Sequence, residues 1–236
     1  MRIKLLVMTQ EKVVISIGGS ILIPDNDDAV FIGKLAEMLL RAEKKVDIAV
    51  VVGGGKIARY YSNTGRGLGG NEDQLDTLGI GATRLNAALL ALALGDVSSM
   101  KIPLTVRDSA SKFAPGRIVV MGGTEPGHTT DAVAAMLAKE IGAARVVNAT
   151  SVDAVYSDDP RKNPDAVKYD RLTIEQLDAL VYHDHGAGKS SVFDPLGVQI
   201  AKENKIDIMM VNGRDLAQLE KAIVGEPFQG TFIDSQ

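Results

Sequence analysis

Apolar and polar positions fall into two rhythms along this chain. Short, nearly continuous apolar runs occupy 12–17, 48–52, 102–106, 118–121, 145–149, 207–211 and 231–233. The run Ile48-Ala49-Val50-Val51-Val52 has the β-branched character of a strand covered on both faces of a parallel sheet. Between these runs, apolar residues recur at helical spacing. Val30, Ile32, Leu35, Met38 and Leu39 mark a helix over 29–44, closed by Lys44 and Lys45 where cations suit the dipole. The alanine- and leucine-rich segment 73–94 predicts a long helix. Gly79 and Gly81 interrupt it and predict that another helix or a neighbouring subunit packs closely there. Further helices are predicted over 131–141, after the capping box Thr173-Ile174-Glu175-Gln176, and over 195–203 and 216–224. Segments 66–71 and 186–191 have the composition of mobile glycine loops, and 150–160 that of a loop with a small hairpin.

Strand, loop and helix therefore alternate without an internal repeat or a linker. That order predicts an α/β fold: one doubly wound, mainly parallel central sheet sandwiched by helices, in a single domain spanning 1–236. Ligands of such folds lie beyond the C-terminal ends of the strands. Three of those ends are glycine loops: Gly18-Gly19-Ser20, Gly53-Gly54-Gly55 and the stretch from Gly122 to Thr130. Glycine lets a bulky group approach the backbone, and the helix start that follows offers unpaired N–H groups and a positive dipole end. These parts make an anion site, most often for phosphate; a glycine turn used for tight packing alone has the same sequence. Lys56 and Arg59 add positive charge to the first turns after Gly55. Asp76 either complements a helix N-terminus or contacts a ligand, and His128 either meets a phosphate or caps its turn.

Composition narrows the chemistry. The chain has 236 residues, a net charge of −4 and no block of Lys and Arg, which disfavours non-specific nucleic-acid binding. The absence of cysteine removes disulfides, thiolate metal sites and cysteine nucleophiles. No segment resembles a membrane span or a secretory signal, and residues 1–7 suggest a frayed extension ahead of Met8. The Walker A pattern, the G-x-G-x-x-G fingerprint and a nucleophile elbow are all missing. His183 and His185 have no third ligand at a suitable spacing, so a metal site there is not expected.

Taken in order, the motifs resemble the amino acid kinase family, and within it the archaeal type of uridylate (UMP) kinase. The matching stretches are Ile17-Gly18-Gly19-Ser20, Val52-Gly53-Gly54-Gly55-Lys56 with Ala58-Arg59, Asp76 with Gly79-Ile80, and Thr83-Arg84-Leu85-Asn86-Ala87. They continue through Met121-Gly122-Gly123-Thr124, Pro126-Gly127-His128-Thr129-Thr130-Asp131-Ala132, Thr150 with Val152-Asp153 and Val155-Tyr156, Asp159-Pro160, and Asp194-Pro195-Leu196. The resemblance implies phosphoryl transfer from ATP, with Mg2+, to UMP. It implies an acceptor lobe over about 8–145 and an ATP lobe over about 146–236. By position, Gly54, Asp76, Thr124, Glu125, Pro126, Gly127, His128, Thr129 and Thr130 are expected to bind UMP. Gly18, Gly19, Ser20, Gly55, Arg59, Thr150, Ser151, Tyr156 and Asp159 are expected to bind ATP. No protein metal ligands are expected, because the nucleotide phosphates hold the Mg2+. The resemblance also implies a cytoplasmic homohexamer.

The chain departs from the family pattern in places. Bacterial members carry lysines where this chain has Ser16 and Ser191; Ser151 and Ala154 stand where the archaeal pattern has Asn and Gly. The missing positive charge is expected from Lys56, with Arg59 beside it; Lys189 is a weaker candidate. Two other readings stay open: a kinase of the same fold acting on a carboxylate or an alkyl phosphate, and a non-catalytic anion-storage or regulatory protein.

Overall fold

The structure is a computed structural model that describes residues 10–24, 28–158, 160, 162–183 and 192–236. The first strands are β1 (Lys12–Ile17), β2 (Asp47–Val52), β3 (Val119–Met121) and β4 (Arg145–Thr150). Later come β5 (Val155–Tyr156), β6 (Lys168–Tyr169), β7 (Arg171–Thr173), β8 (Asp207–Asn212) and β9 (Thr231–Asp234). The helices are α1 (Gly19–Leu22), α2 (Asp28–Ala42), α3 (Gly55–Gly67), α4 (Glu72–Leu94), α5 (Val106–Lys112), α6 (Thr130–Ile141), α7 (Ile174–His183), α8 (Pro195–Asn204) and α9 (Leu216–Val224).

The main sheet has the order β3-β2-β1-β4-β8-β9-β7. All its pairings are parallel except β8 with β9. Successive side chains of β1 enter different cores. Val13, Ile15 and Ile17 pack with Leu35, Leu39, Leu90 and Ile223 of α2, α4 and α9. Val14 packs on the other face with Val133, Leu137, Leu177 and Val198 of α6, α7 and α8. A strand buried on both faces has no polar side to show, which is why these runs are continuously apolar. The expected mainly parallel sheet between helical layers is the fold observed.

Local details differ from the sequence expectation. Residues 102–106 form no strand: Val106 opens α5, and Thr105 caps it by accepting from Asp108 N at 3.1 Å. Pro103 lacks a ladder donor, and a capping hydroxyl supplies the competing local structure. The segment 66–71 is not wholly a loop, since α3 continues to Gly67. Gly81 meets nothing within 4 Å, and Gly79 is only in ordinary contact range of Ser62 and Ala58. The close approach of α3 and α4 falls instead at Gly65, where a Cβ would sit 2.7 Å from Leu78 Cδ1 and 2.9 Å from Leu75 Cδ2. The small hairpin pairs β5, inside the predicted 150–160 stretch, with β6, which lies beyond it. The predicted loop 186–191 lies outside the described residues.

Helix α4 positions the site. Residues Glu72–Val97 are long and apolar enough to cross a membrane by length and composition. Its inner face is committed to the protein: Leu75, Ala82, Ala87, Leu90 and Leu94 are buried, along with polar Thr83 and Asn86. A capping box between Asn71 and Gln74 fixes its start.

Candidate active site

Because β3, β2 and β1 are parallel neighbours, their C-terminal ends deliver the three glycine loops to one edge of the sheet. The first two loops touch. A Cβ on Gly19 would fall within 3.0 Å of Gly55 N, Gly53 O and Gly54 C, and Gly55 itself has φ +57°. Only glycine satisfies both the contact and the left-handed backbone. The third loop leads into α6, whose N-cap Thr129 accepts from Ala132 N at 3.2 Å.

A cleft of about 480 Å³ opens between these loops, α3 and α4. It brings together Gly54, Arg59, Asp76, Glu125, His128, Thr129 and Thr130 from the expected set. Asp76 Oδ2 accepts from Gly127 N at 2.9 Å, so the carboxylate ties the third loop to α4. His128 Nδ1 stands 3.3 Å from Glu125 Oε1 without hydrogen-bond alignment. Arg59, assigned by resemblance to the ATP phosphates, lines the same cleft as the residues assigned to UMP. Thr124, Pro126 and Gly127 belong to the same loop but do not line the cleft. Ser62, Asn63 and Arg66 do line it and escaped the sequence reading. Arg66 falls within the predicted loop 66–71; its place in the last turn of α3 brings it to the cleft. Lys56, exposed in the first turn of α3, donates to Pro24 O at 3.2 Å.

The remaining residues lie on the β4 side. Gly18 N donates to Ala149 O at 3.1 Å, which sets the first loop between the cleft and the end of β4. Thr150 Oγ1 folds back on its own turn, accepting from Val152 N and donating to Val152 O. Tyr156 donates its hydroxyl to Asp153 Oδ1 at 2.8 Å, and Lys168 Nζ donates to Oδ2 at 3.0 Å. Burial works against ionisation of Asp153, yet Lys168 and Tyr156 outweigh it and hold the carboxyl below its ordinary range. Ser151 is exposed beside them. Asp159, Lys189 and His185 lie outside the described residues, and His183 closes α7.

A residue the sequence reading placed only at a helix start proves central. Asp131, in the first turn of α6, accepts from Ser16 Oγ at 2.7 Å. Its carboxyl is pushed up to about 6, first by burial and then by the charge of Asp194; hydrogen bonds from Ser16 and Asn148 pull the other way. The residue keeps some accessible surface, but the carboxyl itself lies deep. Asp194 caps α8 through Gly197 N at 3.2 Å and accepts from Thr129 Oγ1 at 2.8 Å. Thus Ser16 is engaged in holding a carboxyl group. Among the described residues no group of three or more His, Asp or Glu could hold a metal ion.

A doubly wound sheet with glycine loops meeting at one edge is an architecture for phosphate-bearing ligands. The amino acid kinase family model matches residues 11–212, and the chain belongs to that family. Its relatives include the uridylate kinase of Methanosarcina barkeri, 43% identical over 212 residues, covering 89% of this chain and 91% of that one. The uridylate kinase of Methanobrevibacter smithii is 43% identical over 226 residues, covering 95% of this chain and all of the other. The crystal structure of uridylate kinase from Archaeoglobus fulgidus superposes with a TM-score of 0.83 at 41% identity, covering 94% of this chain and 99% of that chain. The UMP kinase of Bacillus anthracis, 20% identical with a TM-score of 0.78, shares the fold.

Proposed function

We propose that this protein is a uridylate kinase that moves the γ-phosphoryl group of ATP to UMP, giving UDP and ADP. The observation that carries the reading is the meeting of three glycine loops at one sheet edge, in a chain 43% identical to uridylate kinases over most of its length. In the reaction a UMP phosphate oxygen bonds to the γ-phosphorus, and the bond from that phosphorus to the β,γ-bridging oxygen breaks. The electron pair leaves with ADP. The attacking oxygen is already ionised near neutral pH, so no general base is needed. The protein's task is to align two anions and neutralise charge on the transferring group.

In this reading the 480 Å³ cleft takes the acceptor nucleotide, within an N-terminal lobe of about 8–145. Asp76 accepts from a ribose hydroxyl with the oxygen not used by Gly127. Arg59 serves the acceptor phosphate, a shift from the ATP role implied by resemblance, because it shares the cleft with Asp76 and Thr130. The Gly18–Ser20 loop, Gly55, Thr150, Ser151, Tyr156 and Asp159 serve ATP, and Lys56 supplies charge near the transferring group. Mg2+ arrives on the ATP phosphates. An assembly of several copies, a homohexamer in the family pattern, is favoured by the exposed Leu78, Leu85, Leu89 and Leu92 along one face of α4. A cytoplasmic location belongs to the same reading. The test is ADP release across UMP, CMP, dUMP and a panel of carboxylate and alkyl-phosphate acceptors. UMP should be turned over best. Turnover of another acceptor without UMP overturns the substrate, and tight nucleotide binding without ADP formation overturns the catalysis.

A further inference from the structure

Two polar side chains on α4 are not accounted for by the assignments above. Asn86 is 2% exposed on the buried face of α4. Its Nδ2 donates to Gly53 O at 2.9 Å and to Gly54 O at 3.3 Å. Two residues earlier, Arg84 donates from Nε to Gly123 O at 3.2 Å and from Nη2 to Thr124 O at 2.9 Å. Just before Arg84, Thr83 Oγ1 accepts from Gly123 N at 2.7 Å. About one turn of helix therefore grips two separate glycine loops, each by two consecutive carbonyl oxygens.

Peptide planarity makes this grip informative. In a trans peptide the C=O of one residue and the N–H of the next point in opposite directions. Drawing the carbonyls of Gly53 and Gly54 onto Asn86 turns the N–H groups of Gly54 and Gly55 away from it. Drawing those of Gly123 and Thr124 onto Arg84 does the same to the N–H groups of Thr124 and Glu125. None of these four N–H groups donates to another protein group among the described residues. Loop N–H groups held open side by side in this way are the donors from which backbone anion sites are built.

We infer that Asn86 and Arg84 are positioning residues that set the peptide orientation of both loops, so that the loop N–H groups face the phosphates of the nucleotides. This rests on the kinase reading for the identity of the anion. Asn86 acts through Gly54 and Gly55, and Arg84 through Thr124 and Glu125; neither needs to touch a ligand. Helix α4 thus fixes the spacing of the two loops from a single rigid element.

The test uses the full chain and calorimetric titration with UMP, uridine and inorganic phosphate. Asn86→Leu keeps the volume and removes both donors; Arg84→Met does the same on the second loop from a half-buried position. Each variant should lose about 10- to 100-fold in affinity for UMP and for phosphate. Uridine, which lacks the phosphate, should change by less than about threefold. Arg84→Lys, keeping one donor, should recover part of the loss. Equal weakening of UMP and uridine, or unchanged phosphate affinity in Arg84→Met, overturns the inference. The phosphate titration separates it from the kinase reading: if the wild type turns over no UMP, that reading fails, while phosphate binding lost in both variants still supports the positioning role. A wild type that binds no phosphate overturns the inference as well.

Discussion

Replacing Asp131 by asparagine should make the protein more stable at neutral pH, and the gain should depend on pH in a calculable way. Asp131 has an ordinary value of 3.8 and a folded value of about 6. Below 3.8 the carboxyl is neutral in both states and contributes nothing. Between 3.8 and 6 the unfolded chain ionises while the folded protein holds its proton, so stability falls as pH rises. Above 6 both states are ionised and the penalty is constant, at about 3 kcal/mol. About 2 kcal/mol of that change falls between pH 4.5 and pH 7.5; the residue's remaining solvent access can only reduce it. Asparagine matches the shape, still accepts from Ser16, and cannot ionise. Urea denaturation of both proteins at several pH values in this range gives two curves, whose difference removes every other titrating group. The Asp131→Asn protein should gain about 2 kcal/mol on the wild type as pH rises across the window. Parallel curves, or a difference that shrinks with pH, would refute the reasoning.

Other substitutions probe separate parts of the site. Gly19→Ala drives a methyl group into the backbone of the second loop, with no side chain there to yield. It should cost about 3 kcal/mol or more in urea denaturation and lower kcat/KM for both nucleotides. Lys56→Ala should lower kcat on the order of 10²-fold in steady-state assays while leaving the KM for UMP nearly unchanged; an unaltered kcat removes Lys56 from the mechanism. Leu85→Glu combined with Leu89→Glu places charge on the exposed face of α4 and should shift sedimentation toward the single chain, whereas an unchanged assembly would locate the interface elsewhere.

The architecture was legible because its signals are local and repeated. Continuous apolar runs ending in glycine identify β1, β2 and β3 together with their loops, and parallel pairing then brings those loops to one edge without further information. What escaped depends either on a local helix boundary or on contacts remote in sequence. The apolar run at 102–106 looks like a strand until Thr105 is seen capping a helix next to Pro103. Arg66 became a site residue only once α3 was seen to extend beneath it. Asp131 is an ordinary helix-start acid by pattern; its raised value arises from burial and from the charge of Asp194, against the hydrogen bonds of Ser16 and Asn148, and all of these depend on other segments. Asn86 did leave a trace, as an amide in the middle of an alanine- and leucine-rich helix, where a polar side chain must find partners or destabilise the core.

The sheet order has a consequence for how the chain must be made. β1 comes first in sequence yet lies in the interior of the sheet, paired with β2 on one side and with β4, more than a hundred residues later, on the other. During synthesis the strands β1, β2 and β3 are complete before residue 145 exists, so they can assemble into a half-sheet whose β1 edge lies open. That edge is apolar on both faces and carries a row of unpaired amides, the arrangement that recruits a neighbouring chain. It closes only when Arg145–Thr150 docks, and every strand from β8 outward builds on that event. The strand that carries the first glycine loop is therefore also the point of greatest exposure for a nascent chain, and truncations ending before β4 should aggregate rather than persist as half-domains.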